Sequence, residues 1–102
     1  MEIRFFAPKI ENFIKQLDKP IIAKTLRTLD LLEKYGNKLG MPYSKKIDAG
    51  LFELRIRGKI EIRIIYCFHK SVVILLHAFV KKSQKIPHSI MILARKRLDS
   101  LD

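Results

Sequence analysis

Three stretches in the second half of the chain alternate between apolar and polar residues with a period of two, which is the pattern of a β-strand. They span residues 51–57, 61–68 and 72–81. In the first of them Phe52, Leu54 and Ile56 share one face, and charged residues share the other. Because short turns join the three strands, the pattern predicts an antiparallel meander.

Two helices are predicted before these strands. Residues 2–7 indicate a short strand that ends at Pro8. Apolar residues then recur at helical spacing in two segments, and the second segment begins near Pro20 and stops at Gly36. The predicted apolar positions are Ile10, Phe13, Ile14 and Leu17 in the first helix and Ile22, Thr25, Leu26, Leu29 and Leu32 in the second.

The segments on either side of the meander complete the predicted fold. Residues 37–50 contain two glycines, a proline and three lysines, and they are predicted to form a loop. A last helix is predicted to begin near Pro87. The order β-α-α-β-β-β-α indicates an α+β fold in a single domain, residues 1–102, with an antiparallel sheet and the helices packed on one face.

The face of the sheet that points away from the helices is predicted to be basic. If the even-numbered residues of each strand face the helices, the odd-numbered residues share the opposite face, provided that no bulge shifts the register. Arginine and lysine can hold phosphates there and an aromatic ring can stack on a base, so this face suits a single-stranded nucleic acid. Alternatively, the strand arginines only pair with Glu53 and Glu61 and have no further role. The residues predicted on this face are Arg55, Arg57, Arg63, His77, Phe79 and Lys81, with Lys82 and Lys85 at its edge.

The net charge indicates that the protein binds polyanions. The formal net charge is +11 and the sequence pI is about 10.1. Residues 1–50 carry ten Lys and Arg against six Asp and Glu, whereas residues 51–102 carry eleven against four. A field of this sign attracts RNA, DNA or an acidic protein, and it is concentrated in the half that contains the predicted meander.

Cysteine content and hydropathy indicate the cellular compartment. Cys67 is the only cysteine, so neither an intrachain disulfide nor a cysteine metal cluster can form, and its apolar setting predicts packing. The longest apolar run, SVVILLHAFV, is too short to span a bilayer, and the first residues lack the apolar core of a signal peptide. We therefore expect a cytoplasmic protein that does not enter the membrane.

Several motifs in the second half resemble a known family. These are ELR, R-x-x-Y-x-F, H-x-F-x-K-K-x-x-K-x-P and the helical ending LARKR, and the likeness is strongest from Leu51 to Arg97. Together with the order of elements, they resemble the RelE/ParE toxin superfamily, and above all its HigB-like, phage-derived branch. The resemblance implies the toxin of a type II toxin–antitoxin system.

The resemblance also implies an activity. RelE-like and HigB-like toxins cleave mRNA in the ribosomal A site without a metal or other cofactor. The RNA 2′-hydroxyl attacks the adjacent phosphate and leaves a 2′,3′-cyclic phosphate and a 5′-hydroxyl. This reaction needs a base near the 2′-hydroxyl, cations at the phosphate and an acid for the leaving oxygen.

The family pattern assigns roles to particular residues. Arg55, Arg63 and Lys82 lie where the family has basic residues, so the resemblance implies that they stabilise the phosphate, and we expect Arg63 and Lys82 to be exposed. His88 is the implied acid or base, and His77 is the other candidate. The residues implied in RNA or ribosome binding are Arg57, His77, Phe79, Lys81 and Lys85.

The same resemblance implies partners, and it leaves two alternatives open. The implied partners are a helix-turn-helix (HigA-like) antitoxin, the ribosome and mRNA. The first alternative is a ParE-like inhibitor of DNA gyrase, because ParE-like proteins share the fold. The second is a basic RNA-binding module without catalytic activity.

Overall fold

The computed structural model describes residues 1–102 and contains five strands and three α-helices. In chain order they are β1 (Glu2–Phe5), α1 (Pro8–Lys15), α2 (Lys19–Tyr35), β2 (Ser44–Asp48), β3 (Leu51–Ile56), β4 (Glu61–His69), β5 (Val72–Lys81) and α3 (His88–Asp99). A short 3₁₀ turn, Gly36–Lys38, follows α2. The predicted α+β class is confirmed, and each predicted helix and strand is present. No helix is both long and apolar enough to cross a membrane.

The sheet is antiparallel at every pairing except one. Its strand order is β1-β5-β4-β3-β2, and β1 pairs with β5 in parallel, which corrects the prediction of a wholly antiparallel sheet. The parallel register places Ile3 beside Val73 and Phe5 beside Leu75, so the apolar residues of β1 extend the face that α1 and α2 cover. The chain between β1 and β5 is long enough for a parallel arrangement, because it contains both helices and the other three strands.

Strand β2 lies within residues 37–50, so the prediction of a loop there was wrong. It pairs with β3 at the edge of the sheet, where Lys45 and Lys46 are exposed. Lysines are common on edge strands because they oppose pairing with another chain, but they also conceal the apolar alternation that identifies a strand. The Ala49–Gly50 turn, with Gly50 at a φ of 74°, is the signal that indicates a hairpin.

One face of the sheet packs against α1 and α2. Ile10, Ile14 and Leu32 of the helices contact a buried layer that includes Leu54 and Ile64. The buried stripe of α2 differs from the prediction, because it consists of Ile21, Thr25, Thr28 and Leu32, while Leu26 is 51% exposed. The two threonine hydroxyls donate to the carbonyl oxygens one turn earlier, which satisfies them inside the core.

Helix α3 packs on the opposite face, so the prediction that the helices occupy one face was wrong. Ala94 of α3 is fully buried against a second apolar cluster, which includes Leu51, Ile65, Cys67 and Leu76. These apolar side chains point away from α1 and α2, so another element must shield them from water. Burial raises the pKa of the Cys67 thiol, in keeping with the packing role expected for it.

A β-bulge in β5 shifts the predicted register of that strand. Ile65 pairs with His77 but Tyr66 pairs with Leu75, so Leu76 is an extra residue. Leu75 therefore faces α1 and α2, and Leu76 faces α3, which reverses the prediction for this end of the strand. Beyond the bulge the prediction was right, since His77, Phe79 and Lys81 pair with outward-facing residues of β4.

Candidate functional site

A polar cleft of about 590 Å³ opens on the part of the outward face that adjoins the β3–β4 turn. No hydrophobic side chain lines it; five of its eight lining residues are Arg or Lys and one is Glu, so it attracts anions. We call it the basic cleft. It is lined by Arg55, Arg57, Glu61, Arg63, Lys81, Lys82, Ser83 and Gln84.

The register of the hairpin explains why the cleft is basic. Arg55 of β3 lies directly opposite Arg63 of β4, and Glu61 lies opposite Lys81 of β5. Two like charges that face each other across strands are destabilising unless a counterion lies between them. The two arginines therefore require a carboxylate at the base of the cleft.

Glu53 supplies that carboxylate. Its side chain is only 2% exposed, its Oε1 accepts a hydrogen bond from Arg55 Nε at 2.9 Å, and its Oε2 lies 3.6 Å from Arg63 Nε. It precedes Arg55 by two positions on β3, so both side chains point to the same face. A buried carboxylate is stabilised only when cations pair with it, so Glu53 and the two arginines depend on one another.

Arg63 is buried, which corrects the expectation that it is exposed. Its Nη2 donates to Glu61 Oε2 at 3.2 Å and its Nη1 donates to the Ile62 carbonyl oxygen at 3.3 Å. Its Nε is a buried donor without a hydrogen-bond acceptor, although the Glu53 carboxylate is close. The guanidinium is thus held in place by two carboxylates, yet it has a hydrogen-bonding group that the protein does not use.

The other cations of the cleft are less constrained. Arg57 lies 3.8 Å from Glu61, with 59% of its side chain exposed, and Lys82 is exposed without an ion pair. The strand arginines do pair with Glu53 and Glu61, as one alternative from the sequence predicted. Arg57 and Lys82 are exposed, so they are the cations that an incoming anion meets first.

His77 and Phe79 lie on the predicted face but outside the cleft. Phe79 is 8% exposed and packs with the cluster under α3, so the expectation that its ring stacks on a base does not fit the structure. His77 stacks on Phe79, with ring centroids 6.0 Å apart. Burial, followed by the charge of Arg97, lowers the pKa of His77. The sequence could not show this burial, because it depends on how far α3 extends over the sheet.

His88 and Lys85 also lie outside the lining of the cleft. His88 is exposed at the first residue of α3, and Lys85 is exposed in the loop that precedes it. Conversely, Ser83 and Gln84 line the cleft although nothing in the sequence pattern distinguishes them. No group of three or more His, Cys, Asp or Glu side chains is placed to hold a metal ion.

Comparisons with known proteins identify the family. Residues 12–99 match the model of the family described as phage-derived protein Gp49-like (DUF891), and the chain belongs to this family. A comparison with curated protein sequences finds no match.

Two solved structures show a similar fold. A chain of the YoeB–YefM complex from Staphylococcus aureus superposes with a TM-score of 0.61 at 18% identity, covering 80% of this chain and 98% of that one. A chain of the heterotetrameric YoeB–YefM toxin–antitoxin complex from the same organism gives 0.59 at 20% identity, covering 81% and 97%. This chain therefore shares its fold with these chains of toxin–antitoxin complexes.

Proposed function

We propose that this protein is the toxin of a toxin–antitoxin pair and that it cleaves mRNA on the ribosome. The observation that carries the proposal is the basic cleft, which lies on a RelE-like fold and has a lining of cations without apolar groups. Such a lining suits the phosphates of a single strand better than a neutral metabolite. The net charge of +11 supports docking on ribosomal RNA.

In the proposed reaction the 2′-oxygen forms a bond to phosphorus and the bond to the 5′-oxygen breaks. The proton of the 2′-hydroxyl passes to a base, and the leaving 5′-oxygen receives a proton from an acid. Arg55, Arg63 and Lys82 stabilise the additional negative charge on the phosphate oxygens. Arg63 suits this role because Glu53 and Glu61 hold its guanidinium before the substrate arrives.

The two proton transfers need a base and an acid near the phosphate. We propose His88 as one of these groups, because an imidazole can act as an acid or as a base and this one is exposed at the start of α3. Within the cleft, Glu61 is the only carboxylate in the lining and is the group there that can accept a proton. If His88 takes part in the chemistry, His88→Ala slows cleavage more than it weakens RNA binding.

An acidic antitoxin is the proposed partner. The similar structures are complexes of a toxin with an antitoxin, and the charge of this chain favours an acidic segment as ligand. We propose the helix-turn-helix, HigA-like type, which the sequence resemblance implies. Long-range charge would speed the encounter of such an antitoxin with the basic cleft.

One observation favours a second candidate, a basic RNA-binding module without catalysis. Arg55, Arg57 and Arg63 are all paired with carboxylates, and no histidine lines the cleft. A cleft of this kind can bind phosphates without cleaving the strand.

The test is induced expression in bacteria followed by mapping of mRNA 5′ ends. We expect growth arrest and new 5′-hydroxyl ends within translated frames, which disappear when initiation of translation is blocked. Lys82→Ala should abolish both effects, whereas Lys9→Ala, the same change at an exposed site on α1, should not. Growth arrest with intact mRNA would favour a gyrase inhibitor. Absence of arrest, with RNA binding retained, would favour the non-catalytic module.

A further inference from the structure

A second cleft, of about 530 Å³, lies between α2 and the segment that leads into β2. We call it the α2 cleft. Lys24, Arg27 and Leu31 line it from α2, and Tyr43 lines it from the opposite side. None of these residues takes part in the reaction proposed above.

The α2 cleft differs from the basic cleft in chemistry. The basic cleft has no hydrophobic lining, whereas the α2 cleft combines Leu31 and the ring of Tyr43, which is 42% exposed, with the cations Lys24 and Arg27. Asp30 is its only carboxylate. An aromatic surface beside cations matches both parts of a nucleotide, because the base can stack while the phosphate pairs with charge.

The two clefts adjoin each other. Arg55 and Arg57 line both of them, so these two arginines form the boundary that the clefts share. Lys24 Nζ donates a hydrogen bond to the Arg57 carbonyl oxygen, which fixes α2 to the end of β3 at this boundary. A strand that leaves the basic cleft past Arg57 therefore meets the α2 cleft next.

We propose that the α2 cleft is a second subsite for the same single-stranded RNA, in which a base stacks on Tyr43 and Arg27 contacts a phosphate. The volume is within the usual range of a small-molecule site, of the order of 300–1,000 Å³, and suits about one nucleotide. The inference rests on the proposed function, since it requires RNA in the basic cleft. The shared boundary at Arg55 and Arg57 favours RNA over an acidic peptide, because the phosphates of one strand can supply charge on both sides of it.

The experiment measures the binding of fluorescein-labelled 2′-O-methyl RNA by fluorescence anisotropy, because the methyl group blocks cleavage. Two lengths are compared: eight nucleotides, which can reach both clefts, and two nucleotides, which can occupy only one. Tyr43→Leu should weaken binding of the longer strand by about 5-fold to 150-fold, the range expected for loss of one stacked base. Tyr43→Phe should bind like the unaltered protein, because its ring is retained.

Arg27→Gln provides an independent variant that does not alter the aromatic ring. It should reduce the magnitude of the slope of log K against log salt by about 0.7 for the eight-nucleotide strand, which corresponds to one lost phosphate contact. Lys19→Gln removes the same charge at an exposed site on α2 that lines neither cleft, and it should leave this slope nearly unchanged. Arg27→Gln should have a smaller effect on the two-nucleotide probe, which cannot occupy both clefts at once.

The outcomes separate this inference from the proposed function. If Lys82→Ala weakens binding of the long strand but Tyr43→Leu and Arg27→Gln do not, the inference is wrong and the basic cleft still binds RNA. If all three variants bind RNA normally, RNA binding by the basic cleft is wrong as well. If Tyr43→Leu and Arg27→Gln weaken binding of a labelled peptide of alternating Glu and Leu but not of RNA, the α2 cleft is a protein-docking site and the inference is overturned.

Discussion

The outward face of the sheet has two halves that are built on the same strands but stabilised differently. In the half under α3, Leu51, Ile65 and Cys67 are fully buried in an apolar cluster. In the other half, Arg55 and Arg63 occupy equivalent outward positions and are stabilised by the carboxylate of Glu53. The boundary crosses both β3 and β4, because each of these strands has residues in both halves.

This difference shows that a helix is not needed to stabilise every part of a sheet face. Where α3 covers the strands, apolar burial stabilises them and nothing remains for a ligand. Where it does not, a buried ion-pair cluster stabilises the strands and leaves cations at the surface. The ion-pair cluster has a higher desolvation cost than the apolar cluster, which is a reason to associate it with function.

The largest expected effect comes from removing the counterion of the open half. Glu53→Ala leaves Arg63 buried with one fewer carboxylate, and we expect a loss of about 3–5 kcal/mol in the free energy of unfolding. Urea denaturation measures it, with Glu11→Ala on the exposed side of α1 as the matched carboxylate control. Equal stability of the two variants would mean that Glu53 does not stabilise the arginines.

A pair of substitutions on one strand tests the comparison directly. Leu51→Ala removes a fully buried side chain beneath α3 and should cost about 2–5 kcal/mol. Arg57→Ala, one residue beyond the open end of the same strand, should change the free energy of unfolding by no more than about 0.5 kcal/mol. The same urea titrations check both values, and a large loss for Arg57→Ala would contradict the separation of the two halves.

The smallest expected effect lies near the boundary, at His77. Burial lowers the pKa of this imidazole below its usual 6.5, so the unfolded chain binds the proton more readily than the folded protein does. The contribution of His77 is therefore complete above pH 6.5 and is lost as the pH falls below that value. Between pH 7.5 and pH 5.5, the melting temperature should decrease less for His77→Gln than for the unaltered protein. An identical decrease in both proteins would place the imidazole in water.

The sequence predicts which residues point outward better than it predicts which of them are covered. Local alternation placed Arg55, Arg63 and Phe79 on one face, and the structure agrees. Their different environments depend on α3, which is distant along the chain, and alternation contains no information about that contact. Phe79 was therefore predicted as a surface ring although it is a core residue.

Two further errors have equally local causes. Strand β2 has no apolar face to reveal a period of two, because it borders the sheet and carries Lys45 and Lys46. No glycine or proline marks the bulge at Leu76 in the sequence. Because β5 is apolar on both faces there, either register fits the alternation. The edge strand and the bulge are consequences of pairing, which only the folded sheet determines.

The bulge also identifies a position where the length of the chain can change. Leu76 has no partner on β4, whereas the residues on either side of it pair with Ile65 and Tyr66, which are consecutive on β4. Deletion of Leu76 would close the ladder and leave every other side chain on its present face, at the expense of one apolar contact beneath α3. Insertions and deletions of single residues in related proteins are therefore expected to accumulate at this point of the strand, whereas elsewhere in β5 they would exchange the two faces.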